Sequence, residues 1–146
     1  MPGPILLVED DPRDEVLTRR ALEKHAVANE IVVARDGQEA LDYLFGEDGD
    51  GSGGAGPLPP VVLLDLNLPK IGGLDVLRRI RSEERTRCLP VVILTSSDED
   101  QDRVSSYDLG ANSYVRKPVE FEAFSKAVGQ VGAYWVLVNT PPLETD

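Results

Sequence analysis

Short apolar runs alternate along the chain with longer amphipathic stretches. Brief apolar runs suit strands buried on both faces. Their alternation with helical periodicity predicts a parallel α/β sheet. The first strand is expected over Ile5-Leu6-Leu7-Val8. Pro12 then suits the first turn of a helix, and Leu17, Ala21 and His25 share one face of it. Residues 31–34 read as the second strand. Asp36 opens the next helix, with Glu39 three residues on as in a capping box, and Ala40, Leu41 and Leu44 form its buried face. The third strand is expected over 61–65. After Gly72-Gly73 a helix buries Leu74, Leu77 and Ile80. Pro90 opens a fourth strand that ends at Leu94. Ser97 with Asp100 reads as another helix cap, and Gly110 as that helix's stop signal. Residues 113–116 form a short fifth strand, and a last helix runs over about 120–138, stopping before Pro141-Pro142.

That last helix is apolar on more than one face. Phe124, Val128, Val131, Trp135 and Val138 should meet the core. Ala123, Ala127, Tyr134 and Leu137 make a second stripe, rotated from the first. A surface helix needs a single apolar face, so the surplus predicts a partner surface, with a symmetric homodimer as the commonest solution. Residues 47–60 are rich in Gly, Ser, Asp and Pro and carry only Ala55 and Leu58 as apolar anchors. They read as a surface loop.

With 146 residues the chain suits one domain. Its formal net charge of −11 argues against nucleic acid and against an anionic membrane surface. No apolar stretch approaches the length of a spanning helix. Cys88 is the only cysteine, which excludes an intrachain disulfide and fits a reducing cytoplasm.

Chemistry concentrates at three strand ends. Ile5 to Val8 runs into Glu9-Asp10-Asp11, Val61 to Leu64 runs into Asp65, and Val91 to Leu94 runs into Thr95-Ser96. An acid after a buried strand has no packing reason to be there, and in open α/β sheets this edge is where ligands bind. Crowded carboxylates repel, and a hard divalent cation such as Mg²⁺ relieves the repulsion. An ionised Asp can attack a phosphoryl group to give an aspartyl phosphate. Lys117 and Thr95 then suit the developing charge on the phosphoryl oxygens. Taken alone, Glu9-Asp10-Asp11 reads as a charged loop, Asp65 as a turn or cap, Thr95 as a turn hydroxyl, Lys117 as a surface lysine and Tyr114 as strand packing. His25 reads as a satisfied boundary residue and Cys88 as inert.

Together, Glu9-Asp10, Asp65-Leu66-Asn67-Leu68-Pro69, Thr95 and Lys117-Pro118 resemble the receiver domain of two-component response regulators, over about residues 5–138. The resemblance implies a single-domain, five-stranded, doubly wound, flavodoxin-like fold with strand order 2-1-3-4-5. It implies Asp65 as phosphoacceptor for a histidine kinase. Asp10, Asp65 and the backbone carbonyl of Asn67 would ligate Mg²⁺, with Glu9 acting through water. Thr95 and Lys117 would contact the phosphoryl group, and Tyr114 would be the aromatic switch. The opening Val8-Glu9-Asp10-Asp11-Pro12, Tyr107, and Tyr134-Trp135 further resemble stand-alone receivers paired with phytochrome-type kinases. Three features depart from the usual pattern: the long Gly-rich loop, Glu9 in place of the commoner Asp, and the extra acid Asp11.

Two alternatives carry other functions. One is a receiver-fold scaffold without phosphorylation, which the intact Asp10, Asp65, Thr95 and Lys117 disfavour. The other is a haloacid-dehalogenase-like phosphatase, which needs a general acid where this chain has Asn67. With no output domain after the last helix, output is expected through protein contact or phosphate relay, and no enzymatic activity beyond self-phosphorylation and self-dephosphorylation. The homodimer should use Tyr134 and Leu137 beside the fourth helix and fifth strand. Thr95, drawn inward by phosphate, should open space for Tyr114 on that same face.

Overall fold

The computed structural model describes residues 3–25, 29–46, 58–96, 99–117 and 121–140. Five strands alternate with helices: β1 (Ile5–Val8), α1 (Pro12–Lys24), β2 (Ile31–Ala34), α2 (Gly37–Phe45), β3 (Val62–Leu64), α3 (Gly73–Ser82), β4 (Val91–Thr95), α4 (Asp100–Asp108), β5 (Ser113–Arg116) and α5 (Phe121–Ala133). The strands are all parallel and lie in the order β2-β1-β3-β4-β5. The expected α/β doubly wound sheet is present, in the expected order. The apolar runs are strands because both faces are covered. One face packs Leu6, Val8, Val62, Leu64 and Ile93 against α2 and α3; the other packs Ile5, Leu7, Leu63, Val92 and Leu94 against α1 and α5.

Helix starts follow local chemistry. Asp11 accepts a hydrogen bond from Arg13 N at 2.8 Å and caps α1, with Pro12 at the first position. Asp36 caps α2 through Glu39 N at 2.8 Å, and Glu39 reaches back to Arg35 N at 3.3 Å. Gly110, at φ 96°, follows α4, and its N–H donates to Tyr107 O, the left-handed stop that glycine alone adopts without penalty. The expected cap at Ser97 lies outside the described residues, and α4 instead begins after Glu99, which makes no side-chain cap bond. The third strand is shorter than expected, yet Val61 O still accepts from Leu6 N and Asp65 N donates to Val8 O. In α3 the fully buried positions are Val76, Leu77 and Ile80, while Leu74 packs at the margin. Most of the 47–60 loop also lies outside the described residues; of its two apolar anchors, Leu58 packs against the core.

The end of the last helix departs from expectation. After Ala133 the chain makes a π-helical turn, Tyr134–Val138. Phe124 and Val128 are buried and Val131 and Trp135 pack against the core, but Val138 is 66% exposed. A π turn holds more residues than an α turn, so the register slips and Val138 leaves the core face.

Gly73 seats α3 directly under the end of β3. A Cβ there would strike the Asp65 carbonyl oxygen and lie 2.7 Å from Leu66 Cα. Both are backbone atoms that cannot swing aside. Gly73→Ala should therefore lower stability by about 1–3 kcal/mol, as overpacking does. Urea denaturation checks this, and an unchanged midpoint would show that α3 is free to shift.

Candidate functional site

Strand order reverses at β1, so the connections after β1 and β3 diverge to opposite faces and leave a crevice at the carboxyl edge. The ladder register sets what lines it. Val8 pairs with Leu64, Leu64 with Ile93, and Thr95 with Arg116. The next residues along, Glu9, Asp10, Asp65 and Lys117, therefore share one rim with Thr95. Lys117 N donates to Thr95 O at 2.7 Å, which fixes the start of the lysine stem. Thr95, the last residue of β4 rather than the first beyond it, is fully buried.

Lys117 sits at the centre. Its Nζ donates to Glu9 Oε1 at 2.5 Å, Asp14 Oδ2 at 2.8 Å and Asp65 Oδ2 at 3.3 Å. The side chains of Lys117 and Asp65 are each 9% exposed. Asp65 is oriented at both oxygens, because Oδ1 accepts from Asn67 N at 3.1 Å. Carboxylate oxygens of Glu9, Asp10 and Asp65 lie within 4.8 Å of one another. At that separation two ionised carboxylates repel by about 3–4 kcal/mol in a medium of effective dielectric 20. One lysine cannot offset four acids.

The titration of Glu9 shows the strain. Burial pushes its carboxyl up from the usual 4.5 to about 7, the charge of Asp65 adds to the rise, and Lys117 opposes it. For Lys117, burial disfavours the charged form. Hydrogen bonds to Asp14 and Glu9 and the charge of Asp65 outweigh it and hold the ammonium above its usual range. The donors are all oxygen, anionic and in excess, a set that fits a hard divalent cation. Glu9, Asp10 and Asp65 could hold one.

The structure thus brings together Glu9, Asp10, Asp65, Thr95 and Lys117. Asp11 has another job: it caps α1, and the backbone bond to Arg13 keeps its carboxyl below the usual range. Asp14 was missed by sequence reasoning. Its signal was the expected helix start at Pro12, which puts residue 14 in the first turn, facing the rim. Pro118 lies outside the described residues. His25 is a boundary residue, its Nδ1 donating to Ala21 O at 3.0 Å. Tyr114 is half-buried and packs with the α2–α3 side of the sheet, whereas α5 and Trp135 pack on the other side. Alternate residues of β5 point to opposite faces of the sheet, so Tyr114 and the α5 stripe flank the edge strand from its two sides. Tyr134 and Leu137 are 48% and 64% exposed.

Residues 5–129 match the response regulator receiver domain family. Among curated proteins, the chain is 43% identical to the probable methanogenesis regulatory protein FilR2 of Methanothrix harundinacea, over 94% of this chain and 86% of that one. It is 35% identical to the response regulator Rcp1 of Synechocystis, over 97% and 94%. Rcp1 has been solved in a Mn²⁺-bound form, with a TM-score of 0.85 to this chain at 34% identity, covering 97% of this chain and 100% of that one. The phosphorylated cyanobacterial phytochrome response regulator RcpA superposes with a TM-score of 0.86 at 36% identity, covering 98% and 100%. The bacteriophytochrome response regulator AtBRR is 55% identical, with a TM-score of 0.72, covering 96% and 99%.

A carboxyl whose pKa is raised on folding contributes stability that is complete below its unfolded value and is lost as pH rises through its folded value. For Glu9 that window runs from pH 4.5 to about 7. Glu9→Gln stays neutral throughout. In EDTA its stability relative to wild type should climb across this window and level off above it. Urea midpoints at several pH values measure the difference, and a pH-independent one would contradict the electrostatic account.

Proposed function

The chain belongs to the response regulator receiver domain family, and on that premise we propose that it is a phosphorylation switch that takes a phosphoryl group from a histidine kinase onto Asp65. The observation that carries this reading is the Lys117 ammonium 3.3 Å from Asp65 Oδ2, inside an acidic rim at the carboxyl edge of the sheet. Asp65 Oδ2 attacks phosphorus, a new O–P bond forms, and the N–P bond of the donor phosphohistidine breaks with its electron pair left on the imidazole. The Asn67 N–H holds Oδ1, leaving Oδ2 to react. Lys117 then follows the charge onto a phosphoryl oxygen, and the Thr95 hydroxyl donates to another. Asp10, Asp65, the Asn67 carbonyl and, through water, Glu9 would hold Mg²⁺, which when bound screens the carboxylates and neutralises phosphoryl charge. In the haloacid-dehalogenase-like alternative, Asn67 would still offer no general acid.

The kinase is of the phytochrome type. The likeness to RcpA and AtBRR supports this, while the name of FilR2 ties that relative to another process. The switch reaches a partner through Thr95 and Tyr114, a local charge change biasing a two-state element. Tyr114 packs on the α2–α3 side, so its signal reaches α5 only around the edge strand β5. The protein works in the cytoplasm, without nucleic acid or membrane, in keeping with its charge of −11. No helix among the described residues is long and apolar enough to cross a membrane. Its own partner is a second copy, docked through Tyr134, Leu137 and Val138, which together leave an apolar patch in water.

With Mg²⁺ and acetyl phosphate the protein should gain one hydroxylamine-labile phosphate, and Asp65→Asn should take none. An Asp65→Asn variant labelled as fast as wild type would refute the acceptor assignment. Tyr134→Asp with Leu137→Asp should give monomers that still fold and take phosphate. Sedimentation decides this: a wild type that is monomeric at high concentration with and without phosphate, or a double variant that stays dimeric, would exclude the interface.

A further inference from the structure

Asp14 has no part in the reaction as described, yet it makes one of the three contacts to the Lys117 ammonium. We propose that Asp14 is a positioning residue for phosphoryl transfer, pinning Lys117 so that one of its N–H groups faces the reacting oxygen of Asp65. The proposal rests on the Asp65 reading above and adds to it.

An ammonium has three N–H donors and no acceptor. Here three carboxylates from three different elements take them: Glu9 after β1 at 2.5 Å, Asp14 in the first turn of α1 at 2.8 Å, and Asp65 after β3 at 3.3 Å. The two short bonds anchor the group from the β1 connection and from α1. The longest points at the acceptor. A lysine stem has four flexible carbons, and its backbone bond to Thr95 fixes only the root. One carboxylate anchor would let the ammonium swing about that contact; two define where the third N–H points. When a phosphoryl oxygen replaces Asp65 Oδ2 as the third acceptor, both anchors remain and the ammonium need only tilt. Asp14 is well held for this role. Asp11 caps the same helix, so the first turn is fixed. Its neighbours are engaged elsewhere: Arg13 pairs with Asp11, and Glu15 pairs with Arg19 and Arg35. The Asp14 side chain is 30% exposed, so it can be changed without opening the core.

The test is the rate of phosphorylation by acetyl phosphate at saturating Mg²⁺, for wild type, Asp14→Asn and Asp14→Glu. Loss of one charge-assisted hydrogen bond that orients the ammonium should cut the maximal rate of Asp14→Asn about tenfold. The half-saturating acetyl phosphate concentration should stay within about twofold, since the loss falls on the transition state and not on donor binding. Asp14→Glu restores a carboxylate that can reach Lys117, and its maximal rate should return to within about threefold of wild type. Asp14→Ser, with a urea midpoint near wild type, should be as slow as Asp14→Asn and guards against a folding artefact. The proposal is overturned if Asp14→Asn matches wild type, if only its half-saturation changes, or if Asp14→Glu is as slow as Asp14→Asn. A wild type that takes no phosphate overturns the Asp65 reading and this one together; a fast Asp14→Asn beside an active wild type overturns this one alone.

Discussion

Everything at the carboxyl edge of this sheet depends on one cation among too many anions. Lys117 is half-buried, with Glu9, Asp14 and Asp65 within hydrogen-bond reach of its ammonium. Asp10 completes the acid cluster. Burial, with the charge of Asp65 adding to it, makes Glu9 hold its proton up to about pH 7. Such a site is poised. A divalent cation relieves the repulsion, and an incoming phosphoryl group gives the ammonium a new acceptor. The surplus of negative charge at this edge is what suits it to a cation.

The fold exists to hold that edge together. Parallel strands buried on both faces bring residues distant in sequence to one rim, and the reversal of strand order at β1 parts the loops so that the rim is reachable. Close packing keeps it rigid. Gly73 lets α3 rest on the backbone of Asp65 and Leu66. At the opposite, amino end of β4, Arg81 donates to the carbonyls of Leu89 and Gly110 and to Asn112 Oδ1. Asn112 Oδ1 also accepts from Val91 N. That network ties α3 to the starts of β4 and β5, which deliver Thr95 and Lys117.

The last helix shows how a small change of winding alters a surface. Up to Ala133 the α-helical repeat keeps Phe124 and Val128 on the core. The π turn that follows rotates Val138 out beside Leu137 and Tyr134, so apolar side chains meant for two stripes share one exposed end. Trp135 stays against the core, its ring edge-on to Tyr134 with centroids 5.1 Å apart. The exposed apolar end is therefore attached to an aromatic that packs, partly buried, against the core.

Local patterning in the sequence determined the strands, most helix starts and the strand-end positions of Glu9, Asp65 and Lys117. These are legible because apolar runs, caps and a charged residue after a buried strand each have a cause within a few residues. What the sequence did not determine depended on distances through space. Asp11 and Asp14 look alike as acids near one loop, yet one caps a helix and the other binds a lysine more than a hundred positions away. The side of the sheet on which Tyr114 packs follows from the pleat and from which helices cover β5. The exposure of Val138 follows from a π turn that helical periodicity cannot announce. Tertiary structure decided these because each is a choice between equally good local options, settled by what lies across the fold.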